Sequence, residues 1–206
     1  MPTLTARMKA EETALILIGF QNDYFAEDGV LHEVIGEEIQ ATQMLRHTLD
    51  LLNRVKHTPI TLIHTPILFS ADYSELPNPC GLMAQIRELG AFRRDKRGGE
   101  TITEIKRFGD RILSIVGKTG FNAFGGTSLY EILEERGIRN VVLLGVVTSI
   151  CIDSTGRAAS EYGYNVTILS DCHAGRTKAE HDFYTHDIFP LYASVMDTRQ
   201  FLREIE

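Results

Sequence analysis

The stretch VVLLGVVTSICIDSTGRAASEYGY, Val141 to Tyr164, decides the fold of this chain. Its first residues are apolar and mostly β-branched, with one glycine inside the run, which predicts a central strand that is covered on both faces. Thr148 follows and offers a hydroxyl that predicts a helix cap, so that Cys151 falls at the third helical position. Unpaired backbone NH groups and the positive end of the helix dipole favour an anion there. The pattern therefore predicts a cysteine that is biased toward its thiolate form.

Composition and charge indicate a single domain over residues 1–206 that acts on a small molecule. The chain has 206 residues, 43% of them hydrophobic, and no linker, low-complexity tract or repeat interrupts it. Its net charge of -7 is spread along the sequence. This distribution argues against nucleic acid and against an anionic membrane surface as partners, and it favours a small organic substrate.

The short apolar runs and the scattered cysteines predict a cytoplasmic protein. The run from Ala14 to Phe20 is too short for the core of a signal peptide, and no other run approaches the length of a membrane span. Cys80, Cys151 and Cys172 are an odd and scattered set without a CxxC pair. We therefore expect free thiols rather than disulfides or a zinc site, in a cytoplasmic protein.

Strand-like segments alternate with helix-like segments along most of the chain. Strands are predicted at residues 14–19, 60–64, 112–116, 141–147, 166–169 and 193–195, and helices at residues 35–58, 81–89, 128–136, 148–164, 177–189 and 198–205. This alternation predicts parallel pairing through right-handed crossovers. The expected fold is an α/β doubly wound three-layer sandwich around a mostly parallel sheet of roughly six strands.

Residues that could contribute to a functional site follow the predicted strands. Gly19, His64, Lys118, Cys151 and Asp171 all fall at or just beyond a strand end. In doubly wound sheets, ligands bind outside the carboxyl ends of the strands. The topology therefore predicts that these residues gather along one edge of the sheet, although their spacing leaves open which of them meet.

Three blocks of this sequence resemble the isochorismatase-like hydrolases, a superfamily that includes nicotinamidases and N-carbamoylsarcosine amidase. The blocks are ALILIGFQNDYF at residues 14–25, GKTGFNAFGGTSL at residues 117–129, and GVVTSICIDSTGRAASEYGYNVTILSD at residues 145–171. The third block is the most specific, because it combines a glycine near the strand end, a threonine, and a cysteine three residues later. The resemblance extends over nearly the whole chain.

The resemblance implies a catalytic triad of cysteine, lysine and aspartate. Cys151 matches the nucleophile and Lys118 matches the lysine. The resemblance also implies a cis peptide bond between Val146 and Val147, with the amides of Val147 and Cys151 forming an oxyanion hole. The family carries an aspartate at the end of its first strand, whereas this chain has Gly19 there.

The missing carboxylate leaves open which group moves protons. Removing a positioned acid or base costs about 10²- to 10⁴-fold in rate. Asp23, four residues after Gly19, is a candidate replacement, but it also suits a turn or capping role. His64 has an ordinary pKa in a suitable range, yet a histidine at a strand end is also typical of packing.

Substrate contacts are predicted from two loops, one after the first strand and one after Lys118. Phe25, Phe121 and Phe124 suit the walls of a flat or apolar pocket, although anchoring of the loops would explain them equally well. Gln21 and Thr148 complete the predicted substrate-binding set, and Gln21 is expected to orient the edge of the active site by hydrogen bonding. The metal ligands of nicotinamidases are not recognisable after the second strand, so we expect no metal and no cofactor. The resemblance implies a homodimer or homotetramer.

Two functions remain open from the sequence. The favoured hypothesis is a cysteine hydrolase of a non-peptide C–N bond, an amide or ureide, that acts through a thioester with an atypical triad. The alternative is a catalytically impaired family member that binds a small molecule or another protein, which the glycine at position 19 would suit. Hydrolysis of the vinyl ether of isochorismate ranks last, because that reaction depends on the aspartate rather than the cysteine.

Overall fold

The computed structural model describes residues 7–205. Their strands form one six-stranded sheet in the order β3-β2-β1-β4-β5-β6, and every neighbouring pair is parallel. Residues 1–6 and 206, which the predicted domain also includes, lie outside the described part. The strands are β1 Thr13–Ile18, β2 Thr61–Thr65, β3 Ile112–Ser114, β4 Asn140–Val146, β5 Asn165–Ala174 and β6 Ser194–Met196.

Helices flank this sheet and connect its strands. The prediction of a doubly wound α/β fold with roughly six parallel strands is confirmed, because each crossover between parallel strands carries helical segments. The α-helices are α1 Asn22–Phe25, α2 His32–Thr42, α3 Met44–Val55, α4 Gly81–Leu89, α5 Thr103–Lys106, α6 Leu129–Glu135, α7 Asp153–Glu161, α8 Lys178–Phe183 and α9 Thr198–Glu204.

The two central strands lie in the core over their whole length. All residues of β1 and β4 are buried, and those of β2 are buried as well. A parallel sheet that is covered on both faces requires side chains that are apolar on both faces, which explains the continuous runs of Val, Leu and Ile. The prediction of a central strand beginning at Val141 is therefore correct to within one residue.

The strand order places a topological switch point between β1 and β4. From β1 the chain builds outward to β2 and β3, and it then returns to add β4 on the other side of β1. Ligands bind at such a point because the loops after the two strands diverge and leave a crevice. Gly19 follows β1, and the segment with Cys151 follows β4, so both lie at this crevice.

Three predicted elements differ from the structure. The single helix expected over residues 35–58 is broken at Gln43, which adopts a left-handed conformation with φ of 52° between α2 and α3. The helix expected over residues 177–189 is α-helical only over Lys178–Phe183. Strand β5 continues to Ala174 rather than ending at residue 169, because its pairing with β4 resumes at His173 with a shifted register. The predicted strand end at Asp171 is therefore wrong.

Gly19 stands where the backbones of β1 and β4 approach closely. Its φ is +74°, and a Cβ atom at this position would lie 2.6 Å from the carbonyl oxygen of Val146. Residues with a side chain rarely adopt this backbone conformation. The glycine is therefore required by both the backbone conformation and the packing.

We predict that Gly19→Ala destabilises the protein more than Gly109→Ala does. Gly109 also has a positive φ, of 52°, but a Cβ there would meet nothing within 4 Å, so it serves as a matched control for backbone strain alone. The extra cost at Gly19 is the overpacking against Val146, on the order of 1–3 kcal/mol. Urea unfolding of both variants measures it. Equal destabilisation would contradict the close approach.

Candidate active site

Strand β4 leads into the nucleophile segment through a non-proline cis peptide bond between Val146 and Val147. Residues Thr148–Ile152 form a π-helical turn, which continues directly into α7. Cys151 lies in this first turn, as predicted. The N-cap residue is Val147, however, and no side chain caps the turn, so the prediction of a capping hydroxyl from Thr148 is wrong.

The side chains of Lys118 and Cys151 meet in the interior. The Nζ atom of Lys118 donates a hydrogen bond to Sγ of Cys151 at 3.5 Å. The side chain of Lys118 is fully buried, and Cys151 is only 2% exposed. Within residues 7–205, Lys118 forms no ion pair with a carboxylate. The sulfur of Cys151 is therefore the hydrogen-bond partner of the buried Lys118 amine.

Burial and the cysteine act on the pKa of Lys118 in opposite directions. Burial lowers this pKa below its ordinary value, while negative charge on Cys151 and the hydrogen bond to it raise it. An ammonium group that is removed from water needs a negative partner, and a thiolate supplies one. The geometry therefore supports a thiolate and ammonium pair.

Asp23 and His64, the two predicted candidates for the acid or base, are engaged elsewhere. Asp23 is buried and accepts a hydrogen bond from the backbone NH of Phe92 at 2.6 Å, so it fixes the loop that contains Phe92. His64 is buried near Lys118, and burial together with the charge of Lys118 lowers its pKa to about 3. A histidine with so low a pKa is neutral near pH 7 and cannot serve as the acid.

Gln21 holds the edge of the site through hydrogen bonds. Its amide nitrogen donates to the carbonyl oxygens of Ile67 at 2.7 Å and Gly99 at 2.8 Å, and its oxygen accepts from the NH of Ile67 at 2.9 Å. Both amide hydrogens are thus used within the protein. These bonds fit the orienting role that was predicted for Gln21, and a direct contact with substrate stays a prediction.

The three predicted aromatic residues separate into different environments. Phe121 lines a cavity beside the nucleophile turn. Phe25 stacks on Phe20 with ring centroids 5.3 Å apart, and Phe124 packs against Tyr162 at 5.1 Å. Phe124 is thus a loop anchor and not a pocket wall, because its ring is buried within an aromatic cluster.

The nucleophile turn is braced from the other side by residues that the sequence did not single out. The Oγ1 atom of Thr148 and Nδ1 of His173 are 2.8 Å apart, so this hydroxyl is engaged by the protein and the predicted substrate contact by Thr148 is not supported. A carboxylate oxygen of Glu180 accepts from the NH of Ser149 at 3.3 Å. Asp171 lies apart from this site and binds the NH of Thr198 at 3.0 Å.

A cavity of about 780 Å³ opens next to this turn. Residues 75–83 form one wall, and Phe121, Ser149 and Ile150 contribute to the other. The cavity therefore reaches the two residues that precede Cys151. Its size is in the range of pockets that hold a small organic molecule.

Neither metal clusters nor membrane spans are found in the described part of the chain. Across residues 7–205, no three or more His, Cys, Asp or Glu side chains are grouped so that they could hold a metal ion. Among the same residues, no helix is both long and apolar enough to cross a membrane.

A sequence profile of the isochorismatase domain matches residues 13–200, so this chain belongs to the isochorismatase family. It is 26% identical over 201 residues to the isochorismatase family protein YecD of Escherichia coli O157:H7, covering 96% of this chain and 98% of that protein. It is 29% identical over 177 residues to the ureidoacrylate amidohydrolase RutB of Stutzerimonas stutzeri, covering 80% and 70%.

Solved structures share the fold at lower identity. A cysteine hydrolase from Pseudomonas syringae pv. phaseolicola superimposes with a TM-score of 0.80 at 19% identity, covering 99% of this chain and 98% of that one. The N-carbamoylsarcosine amidase of Thermoplasma acidophilum gives a TM-score of 0.69 at 20% identity, covering 91% and 96%. The curated relatives also include a nicotinamidase of Arabidopsis thaliana, which is 24% identical over 140 residues, covering 68% of this chain and 71% of that protein.

We predict that Lys118→Met slows the alkylation of Cys151 by iodoacetamide at pH 7. Methionine fills a similar volume without the positive charge beside the sulfur, and its loss is expected to lower the rate about 10-fold. Peptide mass spectrometry locates the label on Cys151. Lys178→Met, which removes an exposed lysine paired with Asp182, is the control. An unchanged rate in Lys118→Met would contradict the role of the lysine in activating the sulfur.

We predict that His64 makes the protein less stable in acid. Unfolded His64 takes up a proton near pH 6.5, whereas folded His64 does so only near pH 3, so the free energy of unfolding falls as pH drops through this window. His64 contributes about 1.4 kcal/mol per pH unit to this fall in the free energy of unfolding. We expect His64→Gln to reduce the dependence of the free energy of unfolding on pH by this amount, as measured by urea unfolding between pH 7 and pH 4. A variant whose free energy of unfolding falls as steeply as that of the wild-type protein would refute the lowered pKa of His64.

Proposed function

We propose that this protein is a cysteine-dependent hydrolase that cleaves a non-peptide C–N bond in a small amide or ureide. The observation that carries the proposal is the buried contact of 3.5 Å between Lys118 Nζ and Cys151 Sγ at the switch point of the sheet. A paired thiolate at a crevice is typical of nucleophilic catalysis. The ureidoacrylate amidohydrolases and the nicotinamidase among its relatives support the same reaction class.

In the proposed reaction, the Cys151 thiolate attacks the carbonyl carbon of the substrate and the amine leaves, which produces a thioester. Lys118 stabilises the thiolate before attack and after its release. The amides of Val147 and Cys151 bind the negative oxygen of the tetrahedral intermediate. Water then hydrolyses the thioester and regenerates the thiolate.

The cavity beside the nucleophile turn supports a small substrate of mixed character. Apolar groups from Leu76, Leu82 and Phe121 line it together with polar groups from Ser149 and Asp153. We propose that substrate binds here and that its carbonyl reaches Cys151 past Ser149 and Ile150. The proposed setting is the cytoplasm, and the proposed assembly is a homodimer or homotetramer.

The proposed function predicts that Cys151→Ala abolishes turnover. The substrate panel is nicotinamide, ureidoacrylate and N-carbamoylsarcosine, with release of ammonia as the readout. Loss of a nucleophile lowers the rate by at least about 10³-fold. Cys172→Ala is the matched control, because Cys172 is a buried thiol on β5 outside the site.

Two outcomes would count against a cysteine hydrolase. Turnover that persists in Cys151→Ala would show that the sulfur is not the nucleophile. Binding of a panel compound by calorimetry, without turnover by the wild-type protein, would favour the alternative in which the family scaffold serves as a binding protein.

A further inference from the structure

The ring of Tyr24 lies beside the position from which a side chain at residue 19 would project. An ideal Cβ on Gly19 would be 3.5 Å from Cε2 of Tyr24, next to its contact with the carbonyl of Val146. Tyr24 belongs to α1, the short helix that follows β1 directly. The phenol thus lies at the end of β1, next to the position of the carboxylate that the resemblance implies.

Packing holds this ring while leaving its hydroxyl unengaged. Tyr24 is only 5% exposed, and its ring packs on Phe92 with centroids 5.1 Å apart. The backbone oxygen of Tyr24 contacts Nδ1 of His32 at 3.2 Å, which fixes the residue further. Within residues 7–205 the hydroxyl forms no hydrogen bond, so neither its proton nor its lone pairs are used by the described part of the protein.

The surroundings of Tyr24 raise the pKa of its phenol. Burial raises the pKa of the phenol, and negative charge on Cys151 raises it further. The phenol is therefore protonated near neutral pH, as a proton donor must be before the C–N bond breaks. Asp23, the neighbouring residue, cannot play this part because its carboxylate binds the NH of Phe92.

We propose that Tyr24 is the proton donor to the leaving nitrogen, which rests on the proposed function of this site as an amide or ureide hydrolase. After the S–C bond forms, the C–N bond breaks as the Tyr24 hydroxyl gives its proton to the nitrogen, which leaves a phenolate. Water then adds to the thioester carbonyl and gives a proton to this phenolate. The C–S bond breaks, and the thiolate returns beside the ammonium of Lys118.

Two acetyl compounds test this role, because the leaving group of one needs a proton and that of the other does not. In 4-nitrophenyl acetate the leaving 4-nitrophenolate needs no proton, whereas in 4-nitroacetanilide the leaving nitrogen does. Tyr24→Phe keeps the ring and removes the hydroxyl. We expect this variant to release 4-nitroaniline about 10²- to 10⁴-fold more slowly than wild type, with unchanged release of 4-nitrophenolate. Tyr130→Phe, on the more exposed Tyr130, is the control for both substrates.

The outcomes separate this proposal from the proposed function. If wild type releases nothing from the ester, the nucleophile itself fails and the proposed hydrolase falls. If the ester reacts and the anilide does not, or if Tyr24→Phe slows both or neither, the nucleophile stands and Tyr24 is not the acid. Should Tyr24→Phe unfold, 3,5-difluorotyrosine at position 24 replaces it. Because its phenol is more acidic, we expect the rate of 4-nitroaniline release to begin its decline at high pH at a lower pH than in the wild-type protein. A decline at the same pH overturns the proposal.

Discussion

The contact between the amine of Lys118 and the sulfur of Cys151 is the interaction on which the proposed chemistry of this protein depends. An ion that is removed from water is costly unless it is paired, and the described residues provide no carboxylate partner for Lys118. In the proposed reaction the sulfur supplies the negative partner as a thiolate. Burial of the lysine and the proposed use of the cysteine as nucleophile are therefore linked through this one contact.

The backbone around Gly19 leaves no room for a side chain at the end of β1. The carbonyl of Val146 occupies the space into which a side chain at position 19 would project, and the backbone there is left-handed. The close approach of β4 to β1 therefore requires a glycine at this position. In the proposed reaction the proton comes from Tyr24 on α1, whose ring lies beside Gly19.

The sequence allowed prediction of the features that depend on strong local patterns. The apolar run into β4, the turn with Cys151 and the parallel sheet follow from burial on both faces, and the structure has all three. The break at Gln43 could not be foreseen, because glutamine carries no signal for a left-handed residue and the apolar periodicity continues across it. The end of β5 was misplaced for a related reason. A pairing irregularity that brings His173 beside Gly145 depends on the neighbouring strand and not on the local sequence.

The site was predicted in part for the same physical reason. Lys118 and Cys151 follow strands, and parallel topology brings the ends of strands together. The role of Tyr24 escaped notice because an aromatic residue in a short helix predicts only packing. The contact of Glu180 with Ser149 could not be predicted, because the two residues are far apart in the sequence and belong to no shared motif. Gln21 was expected to orient the edge of the site, and its bonds to the backbone of Ile67 and Gly99 fit that role.

The strand order has a consequence for synthesis of the chain on the ribosome. Strands β1, β2 and β3 can pair first, but the second edge of β1 is filled only when β4 emerges. At ordinary rates of translation this interval lasts on the order of ten seconds. During that time the nascent chain presents an unpaired apolar edge, TALILI, which is the kind of template on which strands of other chains add. The risk of aggregation on this edge therefore lasts until β4 has emerged and paired with β1.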